Sequence, residues 1–358
     1  MSGNSKLPRL NARHWWLLSA IWFAIAGAFW AFYFEKNRQL NQLQYEQVKL
    51  RHVFDMLQRP VVKSKTEVSD PAELLRHVDA LSRPRFTESE RDWARRYIIR
   101  EMTRCGYAPA RQTFEGGLNI IATKTGSVKD APIFVVGAHY DTVQNSPGAN
   151  DNASGVVALI HIACRLKLTE TKFTYRFIFF DGEERNMLGS KAYLKDHRRS
   201  HRLVGAIILE MIGSKCTDSG CQMWPNSMPT WMKRDSGDFI AVIGDIAHPR
   251  LMNALAQSGA TNRPPIHTIP VSDAGHAVPN SRRSDHSSFW DFGIDAVMVT
   301  DTGNFRYTHY HQVHDVSEHL DYEFMAGVVD IVFDAIINID TSKLSFDAVN
   351  LLRSRRSE

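Results

Sequence analysis

The stretch Phe179-Phe180-Asp181-Gly182-Glu183-Glu184 sets a run of acids directly after an apolar, β-branched and aromatic segment, Phe173 to Phe180, that reads as a buried strand. Carboxylates at the rim of a core are costly unless they are paired, hydrogen-bonded or bound to metal. Two adjacent glutamates also repel each other unless a cation lies beside them. The chemistry this suggests is a metal centre with a water to activate, held by Glu183 and Glu184. Further candidates stand at corresponding places. His139 and Asp141 follow the apolar run Ile133 to Ala138, two apart on extended chain and so on one side of it. One of such a pair can bind metal while the other orients it. Asp151 lies in Asn150-Asp151-Asn152-Ala153-Ser154-Gly155, after the small-residue loop Ser146 to Ala149. Glu210 ends Ile207-Ile208-Leu209-Glu210, and His309, His311 and His314 precede Asp315 near the last apolar segment. Taken singly each has a plainer reading: a surface turn for His139 and Asp141, a helix cap for Asp151, a Lys or Arg partner for Glu210. Residue type alone does not choose among the three histidines. Together the mixed His/Asp/Glu set suits Zn²⁺, with Mn²⁺ or Co²⁺ as alternatives. It exceeds what one tetrahedral ion needs, and two ions bridged by a carboxylate would use it while leaving one acid as general base.

Such a set must be positioned, and the pattern of elements does this. Strands are predicted at Asn119 to Thr123, Ile133 to Gly137, Tyr175 to Phe180, Leu203 to Glu210, near Phe239 to Ile243, and Ala296 to Thr300. They alternate with helices at Ser154 to Leu168, Gly189 to Asp196, Pro249 to Ser258 and Tyr322 to Ile337, after two capped helices, to Leu81 and to Arg104. This predicts an α/β domain with a mixed, largely parallel central sheet flanked by helices, in which ligands bind beyond the carboxyl ends of the strands. The domain is expected over residues 69–340, with a tail at 341–358. The long segments Ser214 to Asp238 and Thr261 to Ser284, with Trp224 and Trp231, read as loops that either wall a pocket or pack on the surface.

Before the domain, Trp15 to Phe34 contains no charged residue, which matches the roughly 30 Å hydrocarbon core of a bilayer at the helical rise, with Trp15, Trp16, Trp30 and Tyr33 near its ends. It is expected to be an uncleaved transmembrane signal anchor over residues 15–34, following a cytoplasmic tail at 1–14. A polar stalk and linker at 35–68 then leads to an extracytoplasmic domain: periplasmic, lumenal or extracellular. The stalk could pair with another copy of the chain, giving a homo-oligomer, although sustained heptads are missing. Cys216 and Cys221 could form a local disulfide in an oxidising compartment or remain thiols. A net charge of +4, with charges interspersed, argues against nucleic acid as a partner.

The motifs GAHYDT (137–142), GANDNASG (148–155), FFDGEERNMLGS (179–190), ILEMIG (208–213), SDHSSFWDFGIDA (284–296) and YHQVHD (310–315), in this order, resemble the zinc-dependent aminopeptidases with a co-catalytic metal pair. Glutamate carboxypeptidase and the glutaminyl cyclases are relatives of that family. The resemblance implies two Zn²⁺ ions. It makes His139 and Glu210 ligands of the first, Asp151 the bridge, Glu184 a ligand of the second, His311 the final histidine ligand, Glu183 the general base, and Asp141 the acid that orients His139. The Tyr-His pattern with an acid four residues later selects His311 from the three histidines. Asp285 and His286 match a recurrent pair near the pocket. The implied function is a membrane-anchored di-zinc exopeptidase acting on the N-terminal residues of peptides. The alternatives are a carboxypeptidase, a glutaminyl cyclase-like enzyme of the same fold, or a non-catalytic binding homologue.

Overall fold

The structure is a computed structural model that describes residues 68–197 and 202–341, with separate positions between 22 and 55. The chain divides into two units, Met1–His52 and Val53–Glu358. In the first, the described positions from 22 onward are helical, and Trp22, Ile25, Phe29, Phe32 and Phe34 are exposed. Among the described residues no helix is long and apolar enough to cross a membrane. Much of the expected span at 15–34, the tail at 1–14, most of the stalk at 35–68 and residues 342–358 lie outside the described residues.

The second unit opens with two helices whose starts follow from capping chemistry. Helix α1 (Pro71–Leu81) has Asp70 accepting from the Ala72 N–H and proline in its first turn. Helix α2 (Glu88–Arg104) begins with a capping box between Thr87 and Glu90. The chain then forms β1 (Ala110–Phe114), β2 (Gly117–Lys124), β3 (Ile133–His139), α3 (Gly155–Lys167), β4 (Thr174–Phe180), α4 (Leu188–His197) and β5 (Leu203–Glu210). It continues through β6 (Ile240–Asp245), α5 (Arg250–Ala256), β7 (Ile266–Val271), α6 (His286–Asp291), β8 (Ala296–Thr300) and α7 (Tyr322–Thr341).

The strands form one eight-stranded sheet in the order β1-β2-β4-β3-β5-β8-β6-β7. Its centre, β4-β3-β5-β8, is parallel, β6 joins β8 antiparallel, and β1 and β2 close the other side antiparallel. β3 is buried at every residue and β8 likewise, as expected of strands covered on both faces. The mixed, mostly parallel α/β fold is therefore the one expected. The sequence reading differs at both ends of the sheet. β1 was not anticipated, and β7 lies inside the segment 261–284 read as a loop. Trp224 stacks on Phe239 with centroids 5.9 Å apart, and Trp231 and Trp224 pack against the core cluster that includes Met232 and Phe239. Of the two long segments, Arg283 is the residue that lines the pocket described below. All four cysteines are paired, Cys216 with Cys221 and Cys105 with Cys164. The second bond ties the end of α2 to α3, a link that the sequence reading did not anticipate.

Candidate metal centre

The carboxyl ends of the central strands converge on one set of side chains. His139 is the last residue of β3, Glu183 and Glu184 follow β4, and Glu210 is the last residue of β5. Asp151 comes from the wide turn Ala149–Ser154 that leads into α3, where it and Asn152 leave helical geometry. The turn has a physical basis in its flanking asparagines. The Asn150 amide donates to Asp301 at 2.8 Å and its oxygen accepts from the Gly213 N–H at 2.9 Å. The Asn152 amide donates to the Leu209 carbonyl at 2.8 Å while its oxygen accepts from the Met211 N–H at 3.0 Å. Both asparagines peg the turn to the end of β5. Asp315 fixes the backbone from the other side, accepting from the N–H groups of Asn150 and Asp151 at 2.8 and 3.0 Å and from the Tyr307 hydroxyl at 2.9 Å. Gly148 enters the turn at φ 62°, and a Cβ there would lie 2.3 Å from the Asp151 carbonyl oxygen.

The result is two groups of three ligand atoms that share Asp151. His139 Nε2 lies 3.3 Å from Asp151 Oδ1 and 3.3 Å from Glu210 Oε2. His311 Nε2 lies 3.1 Å from Asp151 Oδ2 and 3.2 Å from Glu184 Oε1. In each group the three ligand atoms fall within 4.8 Å of one another. His139 Nε2 and Glu184 Oε1 are nevertheless buried without a hydrogen-bond partner. His139 Nε2 faces Asp151 and Glu210, and Glu184 Oε1 faces His311, without hydrogen-bond geometry, as lone pairs do when they aim at a common point. A neutral-imidazole and carboxylate donor set of this kind suits zinc. Burial disfavours charge on His139, but Glu210 and Glu183 outweigh it and hold this imidazole well above its ordinary range. His311 is raised to about 10, burial being overcome by Asp151 and Glu184. Burial and then Asp151 push Glu184 up to about 7. The site thus accumulates mutually repelling acids whose charge a cation would balance.

Glu183 is half-buried beside the ligands. Burial raises it well above the ordinary carboxylate range, with Glu210, Glu184 and Asp285 adding to the effect and His139 opposing it. Asp141 stands beside the His139 ring, where the acid expected to orient it would lie. His139 Nδ1 is 3.2 Å from the Asp141 main-chain oxygen and 3.6 Å from its carboxylate. That carboxylate also accepts from the backbone N–H groups of Glu183 at 3.1 Å and Glu184 at 3.3 Å. Asp141 therefore sets both the ring of His139 and the turn that aims the two glutamates. Asp181 serves the fold rather than the ligands. Fully buried, it pairs with Arg91 at 3.1 Å and Arg95 at 2.6 Å and accepts from the Tyr140 hydroxyl at 2.8 Å. An open cavity of about 200 Å³ lies over the cluster, with Asp151, Glu183, Glu184 and Glu210 below and Met187, Arg283 and Tyr310 around it.

Several supporting residues were not found from sequence. Arg85 is 1 % exposed and reaches five main-chain carbonyls, among them those of Pro147 and Gly148 before the Asp151 turn. Ser284 donates to Glu210 Oε2 at 2.7 Å. Asp301, directly after β8, holds Asn150 and the Ser214 N–H. The position of Asp301 at a strand end was a usable signal, whereas nothing local marks Arg85. Of the recurrent pair, Asp285 is buried with both carboxylate oxygens unpartnered and is pushed up to about 7, first by burial. His286 donates from Nε2 to the Ser281 carbonyl at 2.7 Å and packs edge-on to Trp290.

A mixed sheet with a His/Asp/Glu cluster at its carboxyl edge fits a zinc enzyme, and comparison with known proteins gives the class, a zinc metallopeptidase, and the family. The chain belongs to peptidase family M28, whose model matches residues 119–336 and so includes every residue of the cluster. It is 33 % identical over 224 residues to the protein YfbL of Escherichia coli strain K12, covering 58 % of this chain and 68 % of that one. It is 27 % identical over 222 residues to the aminopeptidase YwaD of Bacillus subtilis strain 168, covering 61 % of this chain but only 44 % of that aminopeptidase. The fold is shared with the LapA aminopeptidase of Legionella pneumophila, at a TM-score of 0.59 and 16 % identity over 80 % of this chain and 79 % of that one. It is shared also with the glutaminyl cyclase of Fimbriiglobus ruber, at a TM-score of 0.55 and 19 % identity over 78 % and 98 % of the two chains.

Proposed function

We propose that this chain is an aminopeptidase that uses two zinc ions to remove N-terminal residues from peptides. The observation that carries the reading is the placement of Asp151, whose Oδ1 faces His139 and whose Oδ2 faces His311. His139, Glu210 and Asp151 would hold one ion, and Glu184, His311 and Asp151 the other. Bound there, zinc supplies Lewis-acid polarisation of the scissile carbonyl and makes a water more acidic. Glu183 takes the proton of the attacking water and later delivers it to the leaving amine, and its burial makes it a stronger base for the first of these steps. Asp141 keeps Glu183 and Glu184 on opposite tasks by gripping their separate N–H groups.

The test is Glu183→Gln assayed on peptides with free and acetylated N-termini. The variant is expected to keep its zinc and to lose about 10²–10⁴-fold in kcat. Near-normal turnover, or equal cleavage of acetylated peptides, would sink the assignment. The domain is further proposed to lie outside the cytoplasm, anchored through residues 15–34. Two disulfides that engage every cysteine support an oxidising compartment. Release of the full chain from membranes by alkaline carbonate would refute the anchor.

A further inference from the structure

A second cluster of metal-ligating side chains lies in the helical layer and shares no residue with the catalytic one. Glu73 and His77 stand four apart on α1, on one face of the helix. His161 projects from α3, and its ring meets that of His77 edge-on, with centroids 5.6 Å apart. One ligand atom from each of the three falls within 4.8 Å of the others. His77 Nε2 is 3.9 Å from Glu73 Oε1.

The hydrogen bonds fix which nitrogen of His77 is available. Arg76, which can only donate, lies 3.2 Å from His77 Nε2, so this nitrogen carries the lone pair. The proton is then on Nδ1, which donates to the Tyr97 hydroxyl at 2.6 Å. An imidazole with its far N–H held by a fixed acceptor is the arrangement that orients a metal ligand. Arg76 itself already places a positive charge between the same two groups, 3.6 Å from Glu73, on a side chain that is 68 % exposed. Exposed pairs of this kind contribute little, so the guanidinium can leave at small cost.

We propose that Glu73, His77 and His161 form a further binding site for a divalent transition-metal ion, Zn²⁺ or more tightly Cu²⁺, clamping α1 to α3. Two imidazoles and a carboxylate make three protein ligands with a fourth position left to solvent on the exposed Glu73 side. The ion would be structural. It ties the first helix of the domain to the helix that begins directly after the Asp151 turn, and so braces that turn from behind.

The experiment measures bound zinc by elemental analysis after equilibrium dialysis of the full chain against graded Zn²⁺, in wild-type protein and in Glu73→Gln, His161→Gln and Arg76→Ala. Asp151→Asn serves as a background in which the catalytic cluster is disabled. The wild-type chain is expected to hold one equivalent more than His161→Gln. Glu73→Gln, a change at an exposed residue that leaves folding intact, is expected to weaken this equivalent by about tenfold or more. Arg76→Ala, which removes the competing cation, is expected to tighten it, a result that simple helix packing does not give. With Cu²⁺ on the Asp151→Asn background, nitrogen hyperfine structure from two imidazoles should be present in the electron paramagnetic resonance spectrum and should fall to that of one on adding His161→Gln. None of these readouts depends on peptidase activity, so failure here leaves the proposed function standing and the converse also holds. Equal zinc content and affinity in wild-type, Glu73→Gln and Arg76→Ala proteins would overturn the proposal.

Discussion

Replacing Arg85 by Met should destabilise the domain more than most single changes to its core. Arg85 sits under the candidate metal cluster and donates to carbonyls from three separate segments. Its Nε reaches Tyr140 at 2.7 Å, one terminal nitrogen reaches Leu81, Arg83 at 2.9 Å and Pro147 at 2.8 Å, and the other reaches Gly148 at 2.8 Å. Burial lowers it to about 10 against the opposing pull of Asp315, Asp151, Asp141 and Glu184, so it stays charged at neutral pH. It is the counter-charge to acids that the site requires for other purposes. Removing one partner of a buried charge set costs about 3–5 kcal/mol. A bond from a charged donor contributes about 1.5–3 kcal/mol, but five sharing one side chain do not add. The expected loss for Arg85→Met is therefore about 3–5 kcal/mol. Arg85→Lys should recover part of it, because an ammonium keeps the charge but cannot reach five carbonyls in a planar fork. Urea unfolding at neutral pH measures both, with a chelator present so that bound ions add nothing to the native state. A Met variant within about 1 kcal/mol of wild type, or a Lys variant no better than Met, would refute the reasoning.

Two further changes test other parts of the fold. His267 is buried among Phe54, Trp224 and Phe239, donates to the Met232 carbonyl at 2.7 Å, and is lowered to about 4 chiefly by burial. Its folded value lies below its unfolded value of about 6.5, so the unfolded chain takes up the proton first as the pH falls, and stability is lost across that window. His267→Gln keeps a donor but cannot titrate. The stability gap between wild type and variant, from urea unfolding, should shift by up to about 3 kcal/mol toward the variant between pH 7 and pH 4. A gap that does not change with pH would contradict the assignment. Of the disulfides, Cys105–Cys164 spans 59 residues and Cys216–Cys221 spans 5. Loop entropy alone then ranks their removal at about 4 and about 2 kcal/mol. Paired Cys→Ala variants measured by thermal unfolding should keep that order, and the reverse order would show that loop entropy is not the controlling factor.

What could be read in advance follows from where each residue finds its partners. The central strands were legible because Ile133-Phe134-Val135-Val136 and Ile207-Ile208-Leu209 are apolar on both faces, as strands beneath two layers of helix must be. β7 was hidden because Ile266-His267-Thr268-Ile269-Pro270-Val271 contains a proline and follows Pro264 and Pro265. Such a strand is tolerated only at a sheet edge, which is its place in this sheet. β1 is short and polar for the same reason at the opposite edge. The residues of the candidate metal cluster stood out in the sequence because acids and imidazoles placed after buried strands violate the pattern that burial alone would produce. Their supports were not, because a residue such as Arg85 is defined by carbonyls whose positions exist only in the folded chain.

Asp181 shows where local reading stops. It shares one turn with Glu183 and Glu184 and is the most buried of the three, so on burial alone it would be the strongest candidate ligand. Two guanidiniums from α2 already meet its charge, and the Tyr140 hydroxyl and the Leu118 N–H take further positions on its oxygens. Glu184 Oε1, by contrast, is left buried and without a hydrogen-bond partner, facing His311. The division between a structural acid and a ligand within Asp181-Gly182-Glu183-Glu184 is thus made by α2, roughly eighty residues earlier in the chain. On this argument Arg95, although it touches no ligand, matters to the site: without it Asp181 would lose one of the two α2 guanidiniums that meet its charge and keep Arg91, beside a cluster already rich in acids.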